Sequence, residues 1–375
     1  MGVGLRPSAD AWLWSGNGAI RGITIGPIES VRHPDRGYGS RAYERALDEA
    51  KSAGATWVSL TPFGRVSDLT PEGISMSFEA PFEENRKNVL RAIEQAHERG
   101  LRVMLVPHLW VESLEWRALI DPGTDDGWVA WAAAYRDFLL AWADVAREGN
   151  VELLSIGVEL RSWVTTPRVE LMKPIIADVR ARYHGLLTYS ANWDDAEATL
   201  VWDAVDLIGI NGFYPLADKD GAKLDELVKG GDRVADGLTR LASEVRKPIV
   251  LTEIGYTTRP DPAIRPWEWP EALEGVKVDE AAQADAYKAL IGPLLGSKAV
   301  AGFFVWRYYA DPDDVSQEAA WGFSPRGKLA EVVLRDAFNA HFEVEGSYLT
   351  GGFAGKHRAR TPWRYGWESS PPLFE

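Results

Sequence analysis

The chain has 375 residues, of which 46% are hydrophobic and 26% charged, a balance that suits a water-soluble protein with a large core. The formal charge of −14 sets an acidic surface against phosphate backbones and anionic lipid, which argues against nucleic-acid and membrane partners. Cysteine is absent, which removes disulfides, thiolate metal sites and cysteine nucleophiles together.

Taken along the chain, short apolar runs alternate with longer helical patterns, the signature of repeated βα units around a parallel sheet. Eight strands are predicted: residues 22–26 (GITIG), 56–61 (TWVSLT), 102–107 (RVMLVP), 153–157 (LLSIG), 186–190 (LLTYS), 206–210 (DLIGI), 248–252 (PIVLT) and 300–306 (VAGFFVW). Most are continuous apolar runs, as strands buried on both faces require. Helices are predicted over 40–52, with Gly54 as a stop, over 85–99 before Gly100, and over 128–147. The last carries Trp131, Tyr135, Phe138, Leu139 and Trp142 at helical spacing, a stripe expected to pack on the barrel rather than bind a ligand. Eight strands with intervening helices predict a single-domain (β/α)₈ TIM barrel over residues 21–345. An N-terminal extension (1–20) precedes it and a Gly-, Pro- and Arg-rich tail (346–375) follows. The absence of a G-x-G-x-x-G turn after the first strand weakens a dinucleotide-binding sheet. Residues 258–279, rich in Pro and Trp, are too long for a plain connection and read as cleft wall. No apolar run approaches the ~20 residues of a membrane span. No signal peptide is visible before Gly16; the expected location is outside the cytoplasm as a mature form, secreted or periplasmic, with the cytoplasm as the alternative.

In such barrels the active site lies at the C-terminal ends of the strands. Polar and aromatic residues stand there in this chain: His108 and Trp110 after the third strand, Glu159 after the fourth, Asn192 and Trp193 after the fifth, Asn211 and Tyr214 after the sixth, Glu253 after the seventh and Trp306 with the eighth. Two carboxylates that each follow an apolar run are costly unless hydrogen-bonded and used. Facing each other across a barrel mouth, they suit glycoside hydrolysis, where one protonates the leaving oxygen and the other attacks carbon or activates water. The competing explanation is a buried salt bridge to a strand-end arginine. Seventeen tryptophans suit stacking on sugar rings, although large cores use tryptophan too. The six histidines are scattered without zinc-site spacing and no G-x-S-x-G elbow occurs, so no metal, cofactor or serine nucleophile is expected.

At these residues the chain resembles clan A of the glycoside hydrolases, and more narrowly glycoside hydrolase family 113, the β-mannanase family. The resemblance runs through VPHLWV, WRALIDP, WVAWAAAYRDFLL, SIGVEL, TYSANW, WDAVDLIGINGFYPL, KPIVLTEIGY and FSPRGKLAEVVL. It implies Glu159 as acid/base, Glu253 as nucleophile, Tyr214 as the aromatic that orients the nucleophile, Trp306 under the cleaved sugar, and Trp193 and His108 in contact with substrate. Val158 stands where most clan members have asparagine, in keeping with the narrower family, and Asn211-Gly212 stands where an acidic and a small residue are expected. The implied activity is retaining endo-β-1,4-mannan hydrolysis without a cofactor, on an oligo- or polysaccharide such as β-mannan or glucomannan. The alternatives are another β-glycosidase, including an exo-acting one, and a barrel that binds glycan without cleaving it. Oligomeric state is left open. Hydrogen bonds from neighbours such as Tyr214 are expected to favour a charged Glu253, whose charge then favours a protonated Glu159.

Overall fold

The computed structural model describes residues 19–26, 35–77, 80–268, 275–314 and 321–339. The tail at 346–375 and all but the last two residues of the N-terminal extension lie outside them.

Eight parallel strands close a barrel. In chain order they are β1 (Ile20–Gly26), β2 (Trp57–Leu60), β4 (Arg102–Leu105), β6 (Leu153–Val158), β7 (Leu186–Asn192), β8 (Ile208–Asn211), β9 (Ile249–Ile254) and β10 (Val300–Tyr309). Each of the eight predicted runs is one of these strands. They are buried on both faces, which is why they read as unbroken apolar stretches. β10 pairs with β1 to close the ring, from Ile20 opposite Gly302 to Gly26 opposite Tyr309. A buried cluster that includes Trp57, Met104, Leu153, Val250 and Phe304 fills the interior.

Two further strands lie outside the predicted set. β3 (Phe63–Val66) and β5 (His108–Val111) form a small parallel sheet of their own beyond the ends of β2 and β4. Proline causes the interruption, because Pro62 and Pro107 have no N–H to donate. The Val106 amide bonds Leu60 O at 2.8 Å, the ladder skips Pro107, and it resumes with the His108 amide on Pro62 O at 2.8 Å. The third predicted strand, 102–107, therefore ends early at Leu105.

The helices follow the expected signals. α1 (Arg41–Ser52) starts at Ser40, whose hydroxyl accepts from the Tyr43 amide, and α3 (Asp125–Glu148) starts at Thr124, whose hydroxyl accepts from the Gly127 amide. Between them α2 (Phe82–Glu98) begins three residues earlier than its predicted range. The aromatic stripe of α3 is buried, as its spacing implied, and Trp131 and Tyr135 pack on Trp163 of α4 (Arg161–Val164). The outer ring continues with α5 (Met172–Arg182), α6 (Leu224–Val245), α7 (Glu280–Leu295) and α8 (Leu329–Asn339). Among the described residues no helix is long and apolar enough to cross a membrane.

The closing seam sets one sharp constraint. Gly302 has φ +143°, and a Cβ there would collide with the Ile20 carbonyl of the neighbouring strand. Strain and steric exclusion act together, so Gly302→Ala should destabilise the barrel by about 3 kcal/mol or more. Thermal or denaturant unfolding measures this, and a loss within about 0.5 kcal/mol, the range of an ordinary surface change, would show that the seam tolerates a side chain.

Candidate active site

The turn after β6 aims the first glutamate. Glu159 is left-handed, at φ +51°, a conformation that non-glycine residues rarely hold without support. Support comes from β7: the Glu159 amide bonds Ser190 O at 2.8 Å, and the next amide, of Leu160, bonds the Tyr189 hydroxyl at 2.6 Å. The side chain is thereby turned into the barrel mouth, where it is 8% exposed.

Three donors converge on the Glu159 carboxylate. The Trp116 indole and the Arg117 guanidinium donate to Oε2 at 2.8 and 2.7 Å, and the Asn211 amide donates to Oε1 at 2.9 Å. A carboxylate only accepts, so the Asn211 nitrogen must face it. Asn211 Oδ1 then accepts from the Thr252 hydroxyl at 2.9 Å, which locks the amide. Arg117 also donates to Leu109 O of β5, at 2.9 Å, and so anchors Glu159 to the small sheet. Behind it the Arg161 guanidinium lies 4.7 Å from the Trp116 ring centroid and is itself held by Asp194 and Asp195.

Glu253, at the end of β9, is also 8% exposed. Burial and then the charge of Glu159 push its carboxyl well above the usual range, while Arg117, Arg307 and a hydrogen bond with Asn211 act in the other direction. His108 Nε2 lies 3.8 Å from Glu253 Oε1. That contact is not an ion pair, because burial, and next the charge of Arg117, hold the His108 imidazole well below its ordinary range and so neutral. Asn211 therefore donates to Glu159 and also helps to hold the Glu253 carboxyl down.

This differs from the expected electrostatics. Tyr214 makes no hydrogen bond to Glu253 among the described residues; its ring packs on Trp193, centroids 5.7 Å apart, and the donors expected for Glu253 gather on Glu159 instead. A salt bridge to Glu159 is also present, in the same site as the second glutamate, but its arginine, Arg117, lies in a short 3-10 turn and not at a strand end as the competing explanation had it.

The remaining candidates line two sides of the mouth. On one, His108 packs on Phe63 (4.8 Å between centroids), and Trp110 is 39% exposed. On the other, Trp193 packs against a cluster of Trp306, Phe213 and Phe323, with Trp306 only 5% exposed. Asn192 turns aside to donate to Asp194 at 2.5 Å. Sequence reasoning missed Trp116, Arg117, Thr252 and Trp267. Trp267 stacks on Trp193, centroids 5.6 Å apart and planes 23° apart, and is 41% exposed. Its loop is pinned by an ion pair of Arg259 with Glu268, the residue after Trp267, and by the Leu216 amide on Ala263 O at 2.8 Å. The Pro- and Trp-rich composition of 258–279 was the available signal for it. Residues 269–274 of that loop lie outside the described set. Among the described residues no group of three or more His, Asp or Glu side chains could hold a metal ion.

The raised Glu253 has a consequence for stability. A carboxyl with a folded-state pKa above its unfolded value contributes stability that is fully present below the unfolded pKa and lost as pH rises through the folded one. Near neutral pH Glu253 therefore destabilises the fold, and Glu253→Gln should raise the melting midpoint by a few degrees. That gain should shrink as the pH falls below the ordinary glutamate range. Melting curves at the two pH values test it, and an equal or lower midpoint at neutral pH would contradict the assignment.

The family model of Glycoside Hydrolase Family 113 matches residues 32–327, most of the chain. No curated protein matches. Among solved structures, the fold is similar to a family 113 β-1,4-mannanase at 22% identity, covering 85% of this chain and 98% of that one, with TM-score 0.73. It is also similar to the family 113 β-mannanase from Alicyclobacillus acidocaldarius in complex with ManMIm, at 24% identity, covering 85% and 97%, with TM-score 0.72. A family 5 mannosidase from Rhizomucor miehei, in complex with mannosyl-fructose, is similar at 12% identity, covering 89% and 96%, with TM-score 0.57. The chain thus belongs to glycoside hydrolase family 113, and it is a glycoside hydrolase built on a (β/α)₈ barrel.

Proposed function

We propose that the protein is a retaining endo-β-1,4-mannanase in which Glu253 is the nucleophile and Glu159 the acid/base. The observation that carries this reading is the pair of buried glutamates at the ends of the fourth and seventh barrel strands, β6 and β9, in one barrel mouth. Family membership and the mannanase names of two similar structures support the substrate. The aromatic wall of Trp193 and the exposed Trp267 supports a neutral glycan, because its rings offer stacking rather than charge.

In the first step the Glu253 carboxylate attacks the anomeric carbon as the glycosidic C–O bond breaks, and the Glu159 proton goes to the departing oxygen. In the second, Glu159 takes a proton from water, the water oxygen bonds the same carbon, and Glu253 leaves. Two inversions restore the β configuration. With one proton between the two carboxyls, the productive arrangement has it on Glu159. The surroundings favour it on Glu253, so substrate binding has to loosen the hold of Arg117 and Asn211 on Glu159.

A second reading follows from the three donors on Glu159. They stabilise a charged nucleophile there and leave Glu253 as the protonated acid, with the roles exchanged. Azide rescue separates the two. On a β-mannoside with an activated leaving group, Glu159→Ala should still form the glycosyl-enzyme, and azide should restore turnover and give the β-glycosyl azide. Glu253→Ala should form no covalent intermediate, and any azide product should have the α configuration. The opposite pattern of anomers would establish the exchanged roles. Near wild-type rates on mannan in both variants would remove the two-glutamate mechanism altogether.

A further inference from the structure

We propose that the small β3–β5 sheet extends the substrate track outward from Glu253 and ends in a polar pocket that takes a distal unit of a long, neutral β-linked glycan. The inference rests on the glycan-cleaving reading above, and its first support is register. β3 and β5 pair in parallel with Phe63 opposite His108 and Arg65 opposite Trp110, and the ladder runs on through the Glu112 amide to Val66 O (2.9 Å) and the Ser113 amide to Ser67 O (3.1 Å). Side chains alternate along a strand, so Phe63, Arg65 and Ser67 share one face with His108, Trp110 and Glu112.

Contacts confirm that shared face. The Phe63 ring lies 4.8 Å from His108 and 6.4 Å from Trp110, and Arg65 Nη1 lies 3.4 Å from Glu112 Oε1. The face therefore begins at His108, beside Glu253, passes the exposed ring of Trp110, and reaches Glu112 roughly 13 Å farther on, at about 3.3 Å per residue. There a cavity of about 530 Å³ is lined by Arg65, Ser67, Asp68, Thr70, Glu72 and Glu112. Its size falls in the range of small-ligand sites.

The chemistry of this pocket fits hydroxyl groups. Carboxylates accept and a guanidinium donates in fixed planes, so adjacent carboxylate and guanidinium groups can engage neighbouring hydroxyls of one sugar, with the Trp110 ring as an apolar platform before them. Three carboxylates against one guanidinium repel an acidic sugar, so the ligand is neutral. The side chain of Glu112 is 51% exposed, so its replacement leaves the core intact.

The test is calorimetric binding to the full-length Glu253→Gln chain, which cannot turn substrate over. Mannohexaose should bind about tenfold or more tightly than mannobiose, and adding Glu112→Ala or Glu72→Gln should weaken the hexaose by about tenfold, roughly one hydrogen bond to a charged group, with no matching loss for the biose. Hexaose affinity within about twofold of the parent in both variants overturns the distal site. If cellohexaose shows the length gain and the Glu112 dependence while mannohexaose shows neither, the distal site stands and the mannan assignment falls. Absence of binding by every glycan at every length overturns both.

Discussion

Two carboxyls buried in one barrel mouth constrain everything else in this protein. A second negative charge is expensive there, because little water screens the first. The cost appears at Glu253, which is pushed toward its protonated form, and its relief appears at Glu159, whose two oxygens take three donors. The charge of Glu159 is, after burial, the largest influence that raises the Glu253 carboxyl. Trp116, Arg117 and Asn211 supply those three donors, and Thr252 fixes the amide of Asn211.

The barrel supplies rigidity for that division. Glu159 follows a strand buried on both sides and Glu253 lies near the end of another, and the left-handed turn at Glu159 is held by backbone and tyrosine bonds from β7. The small β3–β5 sheet then does two jobs. It anchors Arg117 through Leu109 O, and it carries His108 and Trp110 outward along one face. Facing it, the pinned 258–268 segment sets Trp267 on Trp193. Charge handling is thus concentrated at the centre of the mouth and aromatic surface toward its sides, a division suited to a long neutral substrate whose chemistry occurs at one bond.

The parts of this design legible in the sequence were those with a strong one-dimensional signal. Eight apolar runs mark eight strands because parallel barrel strands are buried on both faces, and Glu159 and Glu253 stand out because a carboxylate after such a run is costly. The β3–β5 sheet was illegible as a separate element: its strands are four residues long and follow proline, so VPHLWV reads as the end of a barrel strand. Arg117 and Trp116 lie in an irregular segment with no period, and their role depends on a contact 42 or 43 residues away. The Tyr214 ring turns to Trp193, and rotamer choice of that kind is settled by packing partners invisible along the chain. Asn211, read as a departure from the family pattern, donates to Glu159 and is locked by Thr252.

The central claim is that Glu159 and Glu253 share their charge, with the burden of protonation on Glu253. A carbon-13 NMR titration of side-chain-labelled glutamate, in the wild type and in Glu159→Gln, tests it most directly. The account predicts a carboxyl, assigned to Glu253 by its loss in Glu253→Gln, that titrates above the ordinary glutamate range and moves to lower pH once the charge of Glu159 is gone. A Glu253 carboxyl that titrates in or below the ordinary range, or one unmoved by Glu159→Gln, would contradict it.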